Sequence, residues 1–196
     1  MRFIETIQIK NGRILNPDLH RERARDTILY HFGVVRELPF ESLITGISPE
    51  LQETLKLRVL YRKDIEEYTI EPYKRRDIRK VRLIEGGDIE YSYKYEDRSQ
   101  LERLLLEKGD SDDILIIKNG FVTDTSFSNV VFKEGEIFYT PSTYLLNGIK
   151  RRQMIRDGLV NVKDIRVEDV LKCRECFLIN AFLDCLRVDI CTEGFL

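Results

Sequence analysis

The spacing of apolar and polar residues sets out a succession of short elements. Residues 3–9 and 13–15 read as two strands, and the Asn11-Gly12 pair between them supplies the positive φ angles of a tight turn, so a hairpin is predicted. A helix is predicted over residues 17–32, with Asn16 as its cap, Pro17 in its first turn and Gly33 as its stop. Leu19, Ile28, Leu29 and Phe32 give this helix an apolar side, and His20, Arg23 and Thr27 fall at helical spacing on another. A short helical piece near 39–43 and a second hairpin from 54–61 and 66–72 complete a small α+β unit. The basic run Lys74-Arg75-Arg76-Asp77-Ile78-Arg79-Lys80 then shifts the composition, as a solvated connector does, and divides the chain into a small domain over 1–76 and a larger one over 77–196.

In the larger part, strands are predicted at 81–84 and 91–95, followed by a helix over 99–108. A hairpin follows, with strands at 114–117 and 121–132 about Asn119-Gly120, and a strand at 137–140 continues the meander. Short helices near 149–157 and 167–172 alternate with strands at 176–180 and 186–190. The sequence contains no internal repeat and no low-complexity segment.

Composition removes several classes of function. With 196 residues the chain can bury a sizeable core. A net charge of -2, with 34% charged residues mixed in sign, gives no electrostatic footprint for nucleic acid or an anionic membrane. No apolar run approaches the roughly 18 residues needed to cross a bilayer, and the start MRFIETIQIK lacks the apolar core and cleavage site of a signal peptide, so a cytoplasmic protein is expected. Cys173 and Cys176 form a C-x-x-C, but Cys185 and Cys191 are spaced differently and both histidines lie before residue 32. A zinc site wants a matched pair, so reduced thiols are expected and no metal.

Residues 91–98, YSYKYEDR, place an ammonium among three tyrosines. On a strand, Ile89, Tyr91, Tyr93 and Tyr95 share one face while Glu90, Ser92 and Lys94 share the other. Lys94 is then either a surface lysine or a partly desolvated amine able to form a Schiff base with a carbonyl cofactor. If the cofactor is pyridoxal phosphate, its ring nitrogen needs a carboxylate, and its phosphate needs a guanidinium and free backbone N–H groups. Asp124 sits within a predicted strand, on the face of Val122, Ser126 and Ser128, where an unpaired carboxylate is costly. Gly148 opens a helix and lets a phosphate approach the backbone, and Arg23 can supply the guanidinium. Singly, each has an ordinary structural explanation: a solvent-facing strand residue, a helix cap and a surface arginine.

Their order in the chain resembles the class IV aminotransferase family, the fold-type IV enzymes that use pyridoxal phosphate. The resemblance rests on His20-x-x-Arg23, Lys94-x-x-Asp97-Arg98, Asn119-Gly120 through Val122-Thr123-Asp124, and Ser128-Asn129-Val130-Val131-Phe132. It continues through Thr140-Pro141, Asn147-Gly148-Ile149-x-Arg151 and Phe177-Leu178-Ile179-Asn180-Ala181. It implies an α+β fold, with a small N-terminal α/β domain and a larger barrel-like α/β domain. Lys94 matches the Schiff-base lysine, Asp124 the acidic residue facing the pyridine nitrogen, and Arg23 the phosphate arginine. The amides of Ile149 and Lys150 after Gly148 match the phosphate turn, Asn180 and Ala181 match the late strand end that closes over the phosphate, and Ser128 and Asn129 are further cofactor-binding positions that the resemblance implies.

Two departures are visible. The family usually carries glutamate where Asp124 stands, and the chain begins about where the family's second or third strand begins, without its leading hairpin. K-x-x-[ND]-R and the Asn-Ala pair look most like members that release 4-aminobenzoate and pyruvate from 4-amino-4-deoxychorismate on the folate route. A branched-chain or D-amino-acid aminotransferase is the alternative, in which Arg98 or Arg151 could hold the substrate carboxylate, and a non-catalytic ligand-binding relative is a third. The resemblance also implies a homodimer.

Overall fold

The computed structural model describes residues 1–173 and 175–195, which divide into two compact units. Unit 1 comprises Met1–Arg75 and Tyr93–Asp97; unit 2 comprises Arg76–Ser92 and Arg98–Leu196. A division into 1–76 and 77–196 places Lys94 in the second domain, whereas the segment bearing it belongs to unit 1.

Unit 1 is a four-stranded antiparallel sheet with one long helix. Its strands are β1 (Phe3–Lys10), β2 (Arg13–Ile14), β3 (Leu55–Tyr61) and β4 (Ile65–Pro72), in the order β2-β1-β3-β4. Asn11 and Gly12 both take positive φ, 50° and 67°, so β1 and β2 close through the two-residue turn read from the sequence. The helix α1 (Pro17–Phe32) ends where Gly33, at φ 69°, donates its N–H to the Leu29 carbonyl. Its start differs from expectation, because Asn16 is itself left-handed and its side chain makes no capping bond. Its faces differ too: His20 and Thr27 are buried, while Leu29 is exposed. The polar side turns inward because fully buried Glu5 of β1 awaits it there, and Thr27 Oγ1 donates back to the Arg23 carbonyl at 2.7 Å.

The predicted strand at 91–95 is absent. Tyr95 makes a single bridge to Phe3, the Ile4 N–H donates to the Lys94 carbonyl at 2.9 Å, and the Glu96 N–H donates to the Arg2 carbonyl at 3.0 Å. Tyr93 and Tyr95 pack against the unit 1 core of Phe3, Ile28 and Tyr61. Tyr91 is buried in unit 2, so the tyrosine alternation records two cores, not one sheet face.

Unit 2 holds an eight-stranded mixed sheet. In chain order its elements are β5 (Lys80–Glu85), α2 (Ser99–Leu105), β6 (Asp113–Lys118), β7 (Phe121–Thr125), β8 (Asn129–Glu134) and β9 (Ile137–Pro141). They continue with α3 (Ile149–Arg156), β10 (Asn161–Lys163), α4 (Val167–Val170), β11 (Cys176–Asn180) and β12 (Leu183–Cys191). The sheet order is β10-β9-β8-β11-β12-β5-β6-β7, in which β10, not foreseen in the sequence, adds a parallel edge to β9.

The single strand expected over 121–132 is two strands, broken at residues 126–128. There the Thr125 N–H donates to the Ser128 carbonyl at 2.8 Å, and Thr125 Oγ1 accepts from the Ser128 N–H at 3.0 Å. Three residues thus join β7, last in the sheet order, to β8, third from the other end, which requires the sheet to curl. Ile114, Leu115, Ile116 and Ile117 of β6 are all fully buried, as in a strand covered on both faces. Among the described residues no helix is long and apolar enough to cross a membrane, and no cluster of metal-ligating side chains occurs.

Candidate active site

In unit 1 the sequence places a carboxylate, a guanidinium and an imidazole on facing positions of β1 and α1. Arg23 Nε and Nη2 donate to the two oxygens of Glu5 at 2.7 and 2.6 Å, a bidentate pair. His20 Nδ1 lies 2.6 Å from Glu5 Oε2. Burial alone pushes the Glu5 pKa up, but the Arg23 charge and the hydrogen bonds from His20 and Arg23 outweigh it and hold the carboxyl at about 2. Burial holds the His20 pKa below its ordinary value, against the pull of Glu5, and the charges of Arg23 and Lys94 push the same way. The ring is therefore neutral and donates Nδ1–H to Glu5. Lys94, half-buried, is near enough for its charge to act on His20. Glu5 was not singled out in the sequence; a carboxylate within a strand of buried apolar residues is the signal that marks it.

In unit 2 the second cluster centres on Asp124, near the end of β7 and 5% exposed. It is not unpaired. Asn129 Nδ2 donates to Oδ1 at 2.7 Å, and the N–H groups of Leu145 and Leu146 donate to Oδ2 at 3.0 and 2.8 Å. Burial raises its pKa to about 6, moderated by these donors and by the Arg151 charge. Arg151 is itself buried, donating from Nη1 to Asn147 Oδ1 at 2.9 Å and from Nη2 to the Pro141 carbonyl at 2.8 Å, with its guanidinium 4.5 Å from the centre of the Tyr144 ring. Arg98 Nη2 donates to the Ser126 carbonyl at 2.8 Å. Both arginines considered for a substrate carboxylate thus hold loops of unit 2.

Gly148 precedes α3 in an extended conformation, φ −67° and ψ 152°, open to any residue. What it provides is room, since a Cβ built there would run into Asn129 Oδ1. The following N–H groups, of Ile149 and Lys150, begin the helix and have no intrahelical acceptor. Asn180 Nδ2 donates to Ser128 Oγ at 2.9 Å, while its Oδ1 accepts from the Phe182 and Leu183 N–H groups and shapes the turn that contains Ala181. Unit 2 therefore joins Asp124, Asn129 and Gly148 directly, and Ser128 to Asn180; Lys94 and Arg23 lie in unit 1 beside His20 and Glu5.

The donor set of unit 2 fits pyridoxal phosphate. A carboxylate has about four acceptor positions. Three donors face Asp124, leaving one position on Oδ1 for a ring N–H. The start of α3 offers backbone N–H groups and the positive end of a helix dipole to a phosphate.

The sequence model of the amino-transferase class IV family matches residues 93–191. An uncharacterized protein of Haemophilus influenzae is 35% identical over 181 residues, covering 91% of this chain and 96% of the relative. The crystal structure of a Haemophilus somnus protein, provisionally assigned as a 4-amino-4-deoxychorismate lyase, is similar with a TM-score of 0.83 and 28% identity, over 93% of this chain and 96% of that one. A hypothetical aminotransferase from Mycobacterium tuberculosis, in its PLP-bound form, shares the fold with a TM-score of 0.78 and 16% identity, over 96% of this chain and 81% of that one.

Proposed function

This chain belongs to the class IV aminotransferases, a family of pyridoxal-phosphate enzymes with the fold-type IV architecture, and we propose that it is a lyase that releases pyruvate and 4-aminobenzoate from 4-amino-4-deoxychorismate. The observation that carries the cofactor assignment is the buried Asp124 carboxylate, with one acceptor position open, tied to the turn that starts α3. The choice of reaction is supported by the near-full-length likeness to the Haemophilus somnus protein.

Pyridoxal phosphate, when bound, supplies an electron sink for a carbanion formed beside an amine. The chain's residues do the rest. Lys94 Nζ is the covalent anchor; it takes the proton from the carbon bearing the substrate amine and later returns one, serving first as base and then as acid. Loss of the enolpyruvyl group as pyruvate makes the substrate ring aromatic, which drives the reaction forward. Asp124 would accept from the ring nitrogen and the amides of Ile149 and Lys150 would hold the phosphate, with Arg23 proposed as its guanidinium on family grounds. In this role the bidentate contact to Glu5 fixes the plane of the Arg23 guanidinium. A cytoplasmic homodimer is proposed on family grounds.

The test is the visible absorbance of the purified protein with and without added pyridoxal phosphate, followed by borohydride reduction and peptide mapping. A yellow band fixed on Lys94, absent from Lys94→Ala, is expected, and pyruvate release from 4-amino-4-deoxychorismate should follow. A label on another lysine, or no band, overturns the mechanism. Amino transfer without pyruvate release replaces the lyase with an aminotransferase.

A further inference from the structure

Asn129 is the first residue of β8 and is 6% exposed. Its amide nitrogen has two hydrogens and two acceptors: Asp124 Oδ1 at 2.7 Å and the Leu146 carbonyl at 2.9 Å. Turning the carboxamide over would set its oxygen against a carboxylate and a carbonyl, so the nitrogen must face them. The amide oxygen is thereby directed at Gly148, into the space that any side chain at that position would need; Asn129 Cγ lies 3.2 Å from a Cβ built there. Because the backbone of Gly148 suits any residue, the glycine is required for space alone. One carboxamide thus touches the carboxylate of β7, the turn at Leu146 and the residue that caps α3.

Resting on the function proposed above, we infer that Asn129 is a positioning residue, whose carboxamide sets the separation between the Asp124 carboxylate and the first amides of α3, the partners of the two polar ends of one cofactor. Removing it frees the carboxylate from one of its three donors and unpins the turn, so that the two ends no longer sit at a fixed spacing. Gly148→Ala should act through the same contact from the other side, by pushing the carboxamide off Asp124.

Asn129→Ala, Gly148→Ala and the double variant test this in two measurements. The first is the titration midpoint of the Asp124 carboxyl in the cofactor-free protein, followed by carbon NMR. It should rise from about 6 in both single variants, because the charged form loses a donor. The second is the dissociation constant of pyridoxal phosphate from absorbance. Each single substitution should weaken binding about tenfold or more, the loss associated with a hydrogen bond to a charged group. Gly148→Ala should then cost less than about twofold when added to Asn129→Ala, because the obstructing oxygen is gone. A residue that only packs would lower the melting temperature, leave the Asp124 midpoint in place and give multiplicative losses, and that result overturns the inference. If Asn129→Ala fails to fold, Gly148→Ala alone decides through the midpoint. If the native protein binds no pyridoxal phosphate, the proposed function falls, while the midpoints still decide whether Asn129 controls Asp124.

Discussion

Glu5 stays ionised without any exposed surface because two groups of α1 compensate it. Its folded pKa of about 2 lies below the ordinary 4.5, so it contributes stability that is fully present above pH 4.5 and is lost as pH falls toward 2. The difference corresponds to roughly 3 kcal/mol. Glu5→Gln removes the fully buried carboxylate that pairs with half-buried Arg23 and should cost about 3 kcal/mol at pH 7 in denaturant unfolding. It should also remove most of the loss between pH 4.5 and 2; a variant within about 1 kcal/mol of the native protein would show that the pair is not worth what its burial implies. Arg23 and His20 were visible in the sequence as H-x-x-R, but their partner was not, because Glu5 stands fifteen residues or more before them and only the packing of α1 on β1 brings them together.

Local chemistry dictated α1 and the Asn11-Gly12 turn, and both were legible at their full length: Pro17 and Gly33 bound the helix, and positive φ closes the turn. The segment around Lys94 was not legible, since alternating tyrosines suit a strand and nothing local says that Tyr91 serves one core and Tyr93 and Tyr95 another. The run 121–132 misled for a related reason. Every residue in it has strand character or tolerates it, and the break comes from the Thr125 side chain gripping residue 128. Strand β6 makes the strongest demand on packing, with four consecutive residues fully buried. Leu115→Ala should therefore cost about 2–5 kcal/mol, whereas Glu67→Ala on exposed β4 should stay within about 0.5 kcal/mol. Equal losses in urea titrations of the two variants would contradict this account of the sheet.

The buried carboxyls of the two units are shifted in opposite directions. In unit 1, Glu5 loses its contribution below pH 4.5, and His20, whose folded pKa is depressed, resists the protonation that an unfolded histidine undergoes below about 6.5. In unit 2, burial raises Asp124 to about 6 and pushes Asp113 upward as well, so these carboxyls bind protons more readily when folded. The contribution of Asp124 is fully present below pH 3.8 and is lost as pH rises through about 6, and that of Asp113 is lost in the same direction. Hydrogen exchange at pH 7, 5 and 3.5 should show protection of β1 and α1 falling relative to that of β7 and β8 as acidity increases; parallel changes in both units would refute it. The basic run at 74–80 lies where Met1–Arg75 gives way to unit 2, but composition carries no sign that five later residues return. That return has a consequence for the gene. Because the backbone passes between the units at 75/76, 92/93 and 97/98, no single cut yields either half whole: a fragment ending at Arg75 lacks the two tyrosines that complete its core, and the remainder carries them with nothing to cover. A single crossover at 75/76 therefore carries Lys94 with the sequence of unit 2 and away from the rest of unit 1, and the hybrid folds as a whole only when the incoming sequence also suits those five residues.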